Sequence, residues 1–193
     1  MTTKPGFRDP RLTRMAAFLG GIGIEMRPGV IDGPALFQGS LISRGSLVVD
    51  ESILFAPGDA LHEAAHIALA PPERRSSDLG LLKDADKGEE LTTIAWSWAA
   101  LLELDLTPED VFHGKAYKRG DSEMIIDNAR RGVYIGFPLL QAWEMAFDER
   151  NASLRGVKPF PHMVKWLRGG DRPASGGLPE PQRPHASACA KMF

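Results

Sequence analysis

A chain of 193 residues, 43% hydrophobic and 25% charged, can bury one sizeable core but hardly two large ones. Its net charge of -2, from 23 Lys and Arg against 25 Asp and Glu, gives no field that would hold nucleic acid or an anionic membrane. The single cysteine, Cys189, excludes an internal disulfide and any multi-cysteine metal cluster, and it suits a reducing compartment. The start of the chain is polar, and the apolar stretch at 15–24 carries three glycines and is too short to span a bilayer. A cytoplasmic protein is expected.

Leu12, Met15, Ala16 and Leu19 share one side of a helix over 9–19, which Gly20, Gly21 and Gly23 should stop. Strands follow at 24–27, 35–42 and 46–50, the last two divided by a turn at Ser43-Arg44-Gly45, and Leu54-Phe55 extends the region. No crossover helix fits between these strands, so the expectation is a small antiparallel sheet in an α+β fold. The three glycines lack the strand-loop-helix frame of a dinucleotide site. A helix from about Asp59 must end near Ala70, because Pro71-Pro72 cannot continue it. After a charged loop at 73–88 comes a longer helix over 89–104. Thr107-Pro108-Glu109-Asp110 has the cap, proline and acid of a helix start. Further helices are expected at 122–131, 138–150 and 161–168, completing one domain over 1–168. Trp96, Trp98, Trp143 and Trp166 supply core volume. The segment 132–140 reads as a buried connection, with Tyr134 or Phe137 able to line a pocket. Lys115, Lys118 and Arg119 make only a small basic patch, and Arg130-Arg131 a polar helix end; no nucleic-acid or membrane partner is expected. From Gly170 onward, Gly, Pro, Ser and Ala dominate, which predicts a flexible tail over 169–193 and makes His185 and Cys189 poor site candidates.

Within the 59–70 helix stands His62-Glu63-Ala64-Ala65-His66, an HExxH motif. The offset of four brings both imidazoles to one helix face, with Glu63 beside any metal they hold. A catalytic zinc site needs three protein ligands and one open position for water. Leu69 and Pro72 stand where the long three-histidine form has its glycine and last histidine, so the third donor must come from elsewhere. Asp84, Asp86, Glu89 and Glu90 are the carboxylates before and at the start of the next helix. Leu91, Ile94, Ala95, Trp98, Leu101 and Leu102 form its apolar stripe, and Glu90 lies at the edge of that stripe, whereas Glu89 more easily faces water. Glu90 is preferred; Glu89 and His113 are the alternatives, and both glutamates also suit the positive end of a helix. Peptide hydrolysis further needs a donor to a developing oxyanion, for which His113 and Tyr117 are candidates. Each also has a structural role open to it, His113 as a helix cap and Tyr117 as a packed ring. Asp50, Asp127 or Asn128 could orient a ligand imidazole. A strand near 47–50 would offer an edge to an extended peptide.

The motif and the downstream glutamate resemble the zincin metallopeptidases, specifically the gluzincin branch, over residues 62–66 and more loosely over 89–102. The arrangement is also similar to minimal bacterial regulatory metallopeptidase domains, although Glu90-Leu91-Thr92-Thr93-Ile94-Ala95-Trp96 lacks the asparagine of their signature. The resemblance implies Zn²⁺ held by His62, His66 and a glutamate near Glu90, with Glu63 as catalytic base. The resulting expectation is a zinc-dependent hydrolase of peptides or proteins. A noncatalytic regulatory or interaction domain stabilised by metal is the alternative, and an ordinary α+β domain without metal is the third reading.

Overall fold

The computed structural model describes residues 6–32, 39–76, 87–115, 117 and 120–169. Its elements, in chain order, are α1 (Pro10–Gly21), β1 (Met26–Pro28), β2 (Ser40–Ser43), β3 (Ser46–Val49), α2 (Pro57–Leu69), α3 (Pro72–Arg75), α4 (Lys87–Glu103), α5 (Pro108–Val111), α6 (Asp121–Arg130), α7 (Phe137–Ala142) and α8 (Glu149–Arg155). This is the expected α+β class, a small sheet beside a mostly helical core. No helix among the described residues is long and apolar enough to cross a membrane. The expected strand residues 35–38, Asp84, Asp86, Lys118, Arg119, His185, Cys189 and the tail from 170 lie outside the described residues.

Helix α1 begins where Asp9 accepts the Arg11 backbone N–H at 2.8 Å and Pro10 takes the first turn. It buries Leu12, Met15 and Leu19. Gly20 and Gly21 do not stop it; the chain turns after them, at Gly23, whose φ of +94° favours glycine.

The sheet has the order β1-β3-β2, and it is mixed, not antiparallel. The β2–β3 hairpin closes through Arg44 and Gly45, both at positive φ, with Ser43 opposite Ser46. The pairing of β1 with β3 is parallel, Met26 opposite Leu47 and Pro28 opposite Val49. This also corrects the expectation of a peptide-binding edge at 47–50: β3 is the central strand, hydrogen-bonded on both sides, and the edges are β1 and β2. Pro28 is tolerated because it stands on an edge.

Every residue of α2 is buried. Gly58 and four alanines let neighbours come close; a Cβ at Gly58 would meet the Val111 Cα at 2.3 Å. Pro57 opens the helix two residues earlier than expected, while the Asp59 carboxylate reaches back to the Ala56 N–H at 3.3 Å. Helix α4 is buried from Thr92 to Leu101 and packs against α2. The stripe drawn for α4 is wrong at its ends: Leu91 and Leu102 are exposed.

Two expected helices are altered. The span 138–150 is broken into α7 and α8. Glu144 takes a positive φ, and the Gln141 side chain accepts the Asp148 N–H at 2.8 Å. The span 161–168 is not helical. Instead Trp166 offers its carbonyl to the Trp96 indole N–H at 3.0 Å, and Arg168 donates its own N–H to the Ala68 carbonyl at 2.9 Å. Trp96 and Trp98 are buried as expected, whereas Trp143 and Trp166 are partly buried at the margin of the core.

Candidate metal centre

The helical offset of four stacks His62 and His66 on one face of α2, ring centroids 4.9 Å apart and nearly perpendicular. Their Nε2 atoms are 3.3 Å apart. Glu90, in the first turn of α4, closes a triangle: one carboxylate oxygen lies 3.2 Å from His62 Nε2, the other 3.4 Å from His66 Nε2. The two imidazoles are nearly inaccessible, while the Glu90 side chain is 48% exposed, so the group opens to solvent on the α4 side.

These separations allow a metal test. Donors about 2.0–2.1 Å from a tetrahedral zinc ion stand about 3.3–3.4 Å from one another. The three measured edges, 3.2, 3.3 and 3.4 Å, agree with that figure. Two imidazole nitrogens and a carboxylate are also an ordinary donor set for such an ion. Among the described residues, His62, His66 and Glu90 therefore form a cluster able to coordinate a divalent metal ion. Burial and the charge of His62 press the His66 pKa down to about 4, against the pull of Glu90, which leaves the ring neutral at physiological pH. The Glu90 pKa is lowered, chiefly by the His62 ring beside its carboxylate.

Glu63 is 4% exposed, and its Oε1 has no hydrogen-bond partner among the described residues. Burial raises its pKa to about 7; His62 opposes the rise, and Glu90 and Asp59 add to it. A carboxylate so tuned can take and return a proton near neutral pH.

Glu89, the rival third ligand, turns to Arg168 at 3.1 Å. Tyr117 brings its hydroxyl to 3.3 Å from His62 Nδ1. Burial, with Glu90 and Asp59 nearby, pushes the phenol pKa well above its usual value, so it remains a donor. His113 does not join the triangle. Its Nε2 pairs with the Asp59 carboxylate at 2.9 Å, its ring packs on Phe55, and its buried Nδ1 has no partner among the described residues. The Lys115 ammonium sits over the Phe55 ring, 3.7 Å from its centre. Asp50 is occupied by Ile31 and Ser52, and its carboxylate shapes a turn. Asp127 is exposed and Asn128 half-buried on α6.

Two neighbours of the cluster were not anticipated. Thr93 Oγ1 lies 3.4 Å from His62 Nδ1 and donates to the Glu90 carbonyl at 2.6 Å. Its position three residues after Glu90, hence on the same helix face, was the available signal. Asp59 stood in the sequence only as the start of a helix, but it is buried and also bonds His113.

Comparison with known proteins brings no match: no family model fits the chain, and no curated protein or solved structure matches it. The zincin-like character rests on the cluster itself.

Proposed function

We propose that the protein is a zinc-dependent hydrolase that cleaves peptide bonds. The observation carrying this reading is the triangle of His62, His66 and Glu90 with edges matching a tetrahedral zinc site, flanked by a buried Glu63 whose Oε1 has no hydrogen-bond partner among the described residues. His62, His66 and Glu90 would hold the ion, which when bound polarises a carbonyl and makes water more acidic. Glu63 takes the proton of the attacking water and returns it to the leaving amine, a cycle that suits a pKa near 7. Tyr117, still protonated, offers its O–H to the oxygen on which negative charge develops. His113, held by Asp59 and shielded by Phe55, supports the wall of the site and does not serve as a ligand. The open side of Glu90 favours an accessible catalytic site over a closed metal site that only stabilises a binding domain.

The test is metal content of the purified protein together with turnover of a peptide library. About one zinc per chain is expected, and Glu63→Gln should keep it while losing roughly 10²–10⁴-fold in rate. A wild-type chain with zinc but no hydrolysis of any peptide would favour the binding-domain reading. Unchanged turnover in Glu63→Gln would sink the base assignment.

A further inference from the structure

Two hydroxyls meet the edge of the His62 ring that faces away from the triangle. Thr93 Oγ1 is 3.4 Å and the Tyr117 hydroxyl 3.3 Å from Nδ1. A hydroxyl has one proton to give, and that of Thr93 is already committed. It goes to the Glu90 carbonyl at 2.6 Å, a group that can only accept. This is the usual bond of a threonine to the preceding turn of its own helix. Only the lone pairs of Oγ1 are left to face His62, so the imidazole must supply the proton. In a neutral ring a proton on Nδ1 leaves Nε2 with its lone pair. Nε2 is the atom that faces His66 and Glu90, at 3.3 and 3.2 Å.

Resting on the metal reading above, we infer that Thr93 is a positioning residue that holds His62 in the Nδ1–H tautomer and so keeps Nε2 open to a cation. The same hydroxyl grips the backbone carbonyl of Glu90. One side chain thus sets the tautomer of the first ligand and the helical turn that carries the third. The competing arrangement is also visible in the geometry. If the Tyr117 hydroxyl donated to Nδ1, the ring would carry its proton on Nε2 and spend it on the Glu90 carboxylate. That chain of hydrogen bonds needs no metal. Thr93, which has no proton to offer Nδ1, tips the choice toward the metal-ready form, and Tyr117 then accepts a share of the Nδ1 proton and keeps its own.

The test uses the full chain and two readouts. In the metal-free protein at mildly alkaline pH, ¹⁵N shifts of the His62 ring report which nitrogen bears the proton. Zinc affinity is then read by competition with a chromophoric chelator. Wild type and Thr93→Ser should show the Nδ1–H form. Thr93→Val should move toward Nε2–H and bind zinc roughly 10–100-fold more weakly. Adding Tyr117→Phe to Thr93→Val removes the competing donor and should restore part of the lost affinity, which a merely structural defect would not allow. An unaltered tautomer in Thr93→Val, or a double variant as weak as or weaker than Thr93→Val, overturns the inference. A wild-type chain that takes up no zinc overturns the metal reading instead, and the tautomer measurement then still decides the role of Thr93.

Discussion

Glu89 and Glu90 are adjacent in α4, yet they serve two opposite kinds of polar cluster along the α2–α4 contact. Glu89 pairs with Arg168, whose guanidinium lies 4.0 Å over the Trp143 ring and reaches toward the Leu69 carbonyl. Beside it, Arg75 donates to the carbonyls of Ile67, Ala70 and Arg168. The carbonyls at the C-terminal end of α2 are thereby met by two built-in cations, as the helix dipole favours. Glu90 meets two imidazoles instead, one of them held neutral by burial. The first cluster is complete in itself. The second gathers three electron-pair donors, a set able to coordinate a divalent metal ion.

The comparison breaks most easily on metal dependence. Zinc at about a thousand times its dissociation constant should stabilise the wild type by about 4 kcal/mol, and His66→Ala hardly at all. Urea unfolding with and without a chelator measures both. Chelator-insensitive wild-type stability would mean that the triangle is self-sufficient like its neighbour. Next in size is Gly136→Ala. A Cβ there would stand 1.9 Å from the Leu91 carbonyl oxygen, at a φ of +84°, and would push on the turn that carries Glu90. A loss of roughly 2–4 kcal/mol is expected, with weaker zinc binding. Gly114→Ala, with nothing within 4 Å of the added carbon, is the matched control and should be near neutral. A sharper contrast comes from Arg168→Met. It leaves Glu89 and the end of α2 without their cation and should cost about 1–2 kcal/mol while zinc affinity stays close to wild type. A parallel fall in zinc affinity would show that the two clusters are coupled through α4.

The difference between the clusters also explains what could be read ahead of the structure. HExxH was legible because an offset of four is a local property of one helix. Glu90 was legible because helical periodicity ranks neighbouring positions on α4. The partners that finish the site were not. Thr93 meets His62 across 31 residues of chain, and His113 meets Asp59 across 54, distances over which no periodicity carries information. The same limit applies to β1, whose parallel pairing to β3 depends on the path of the chain and not on any strand's own pattern. Residues 161–168 looked helical because their apolar groups recur. Instead Trp166 packs on Trp96, and the Arg168 N–H meets the end of α2, in an irregular chain.

The smallest effect lies away from both clusters, where α5 begins. Asp110 accepts from the Thr107 N–H and hydroxyl at 3.0 and 2.8 Å and from Arg11 at 2.9 Å, tying α1 to α5. Burial alone would raise its pKa, but the Thr107 hydrogen bonds and the Arg11 charge outweigh it and hold the carboxyl below its usual value. Because the folded pKa is below that of the unfolded chain, about 3.9, the contribution is fully present above that pH and disappears as pH falls through the folded value. Asp110→Asn should therefore be less stable than wild type near neutral pH, and the gap should close under acid. The measurement is urea unfolding across this range with chelator present, so that the pH dependence of zinc binding does not enter. A gap of constant size would show that the Asp110 charge contributes nothing and that only the shape of the cap matters. Zinc affinity at neutral pH should be the same in both proteins, because these hydrogen bonds join α1 to α5 and not to the triangle on α2 and α4.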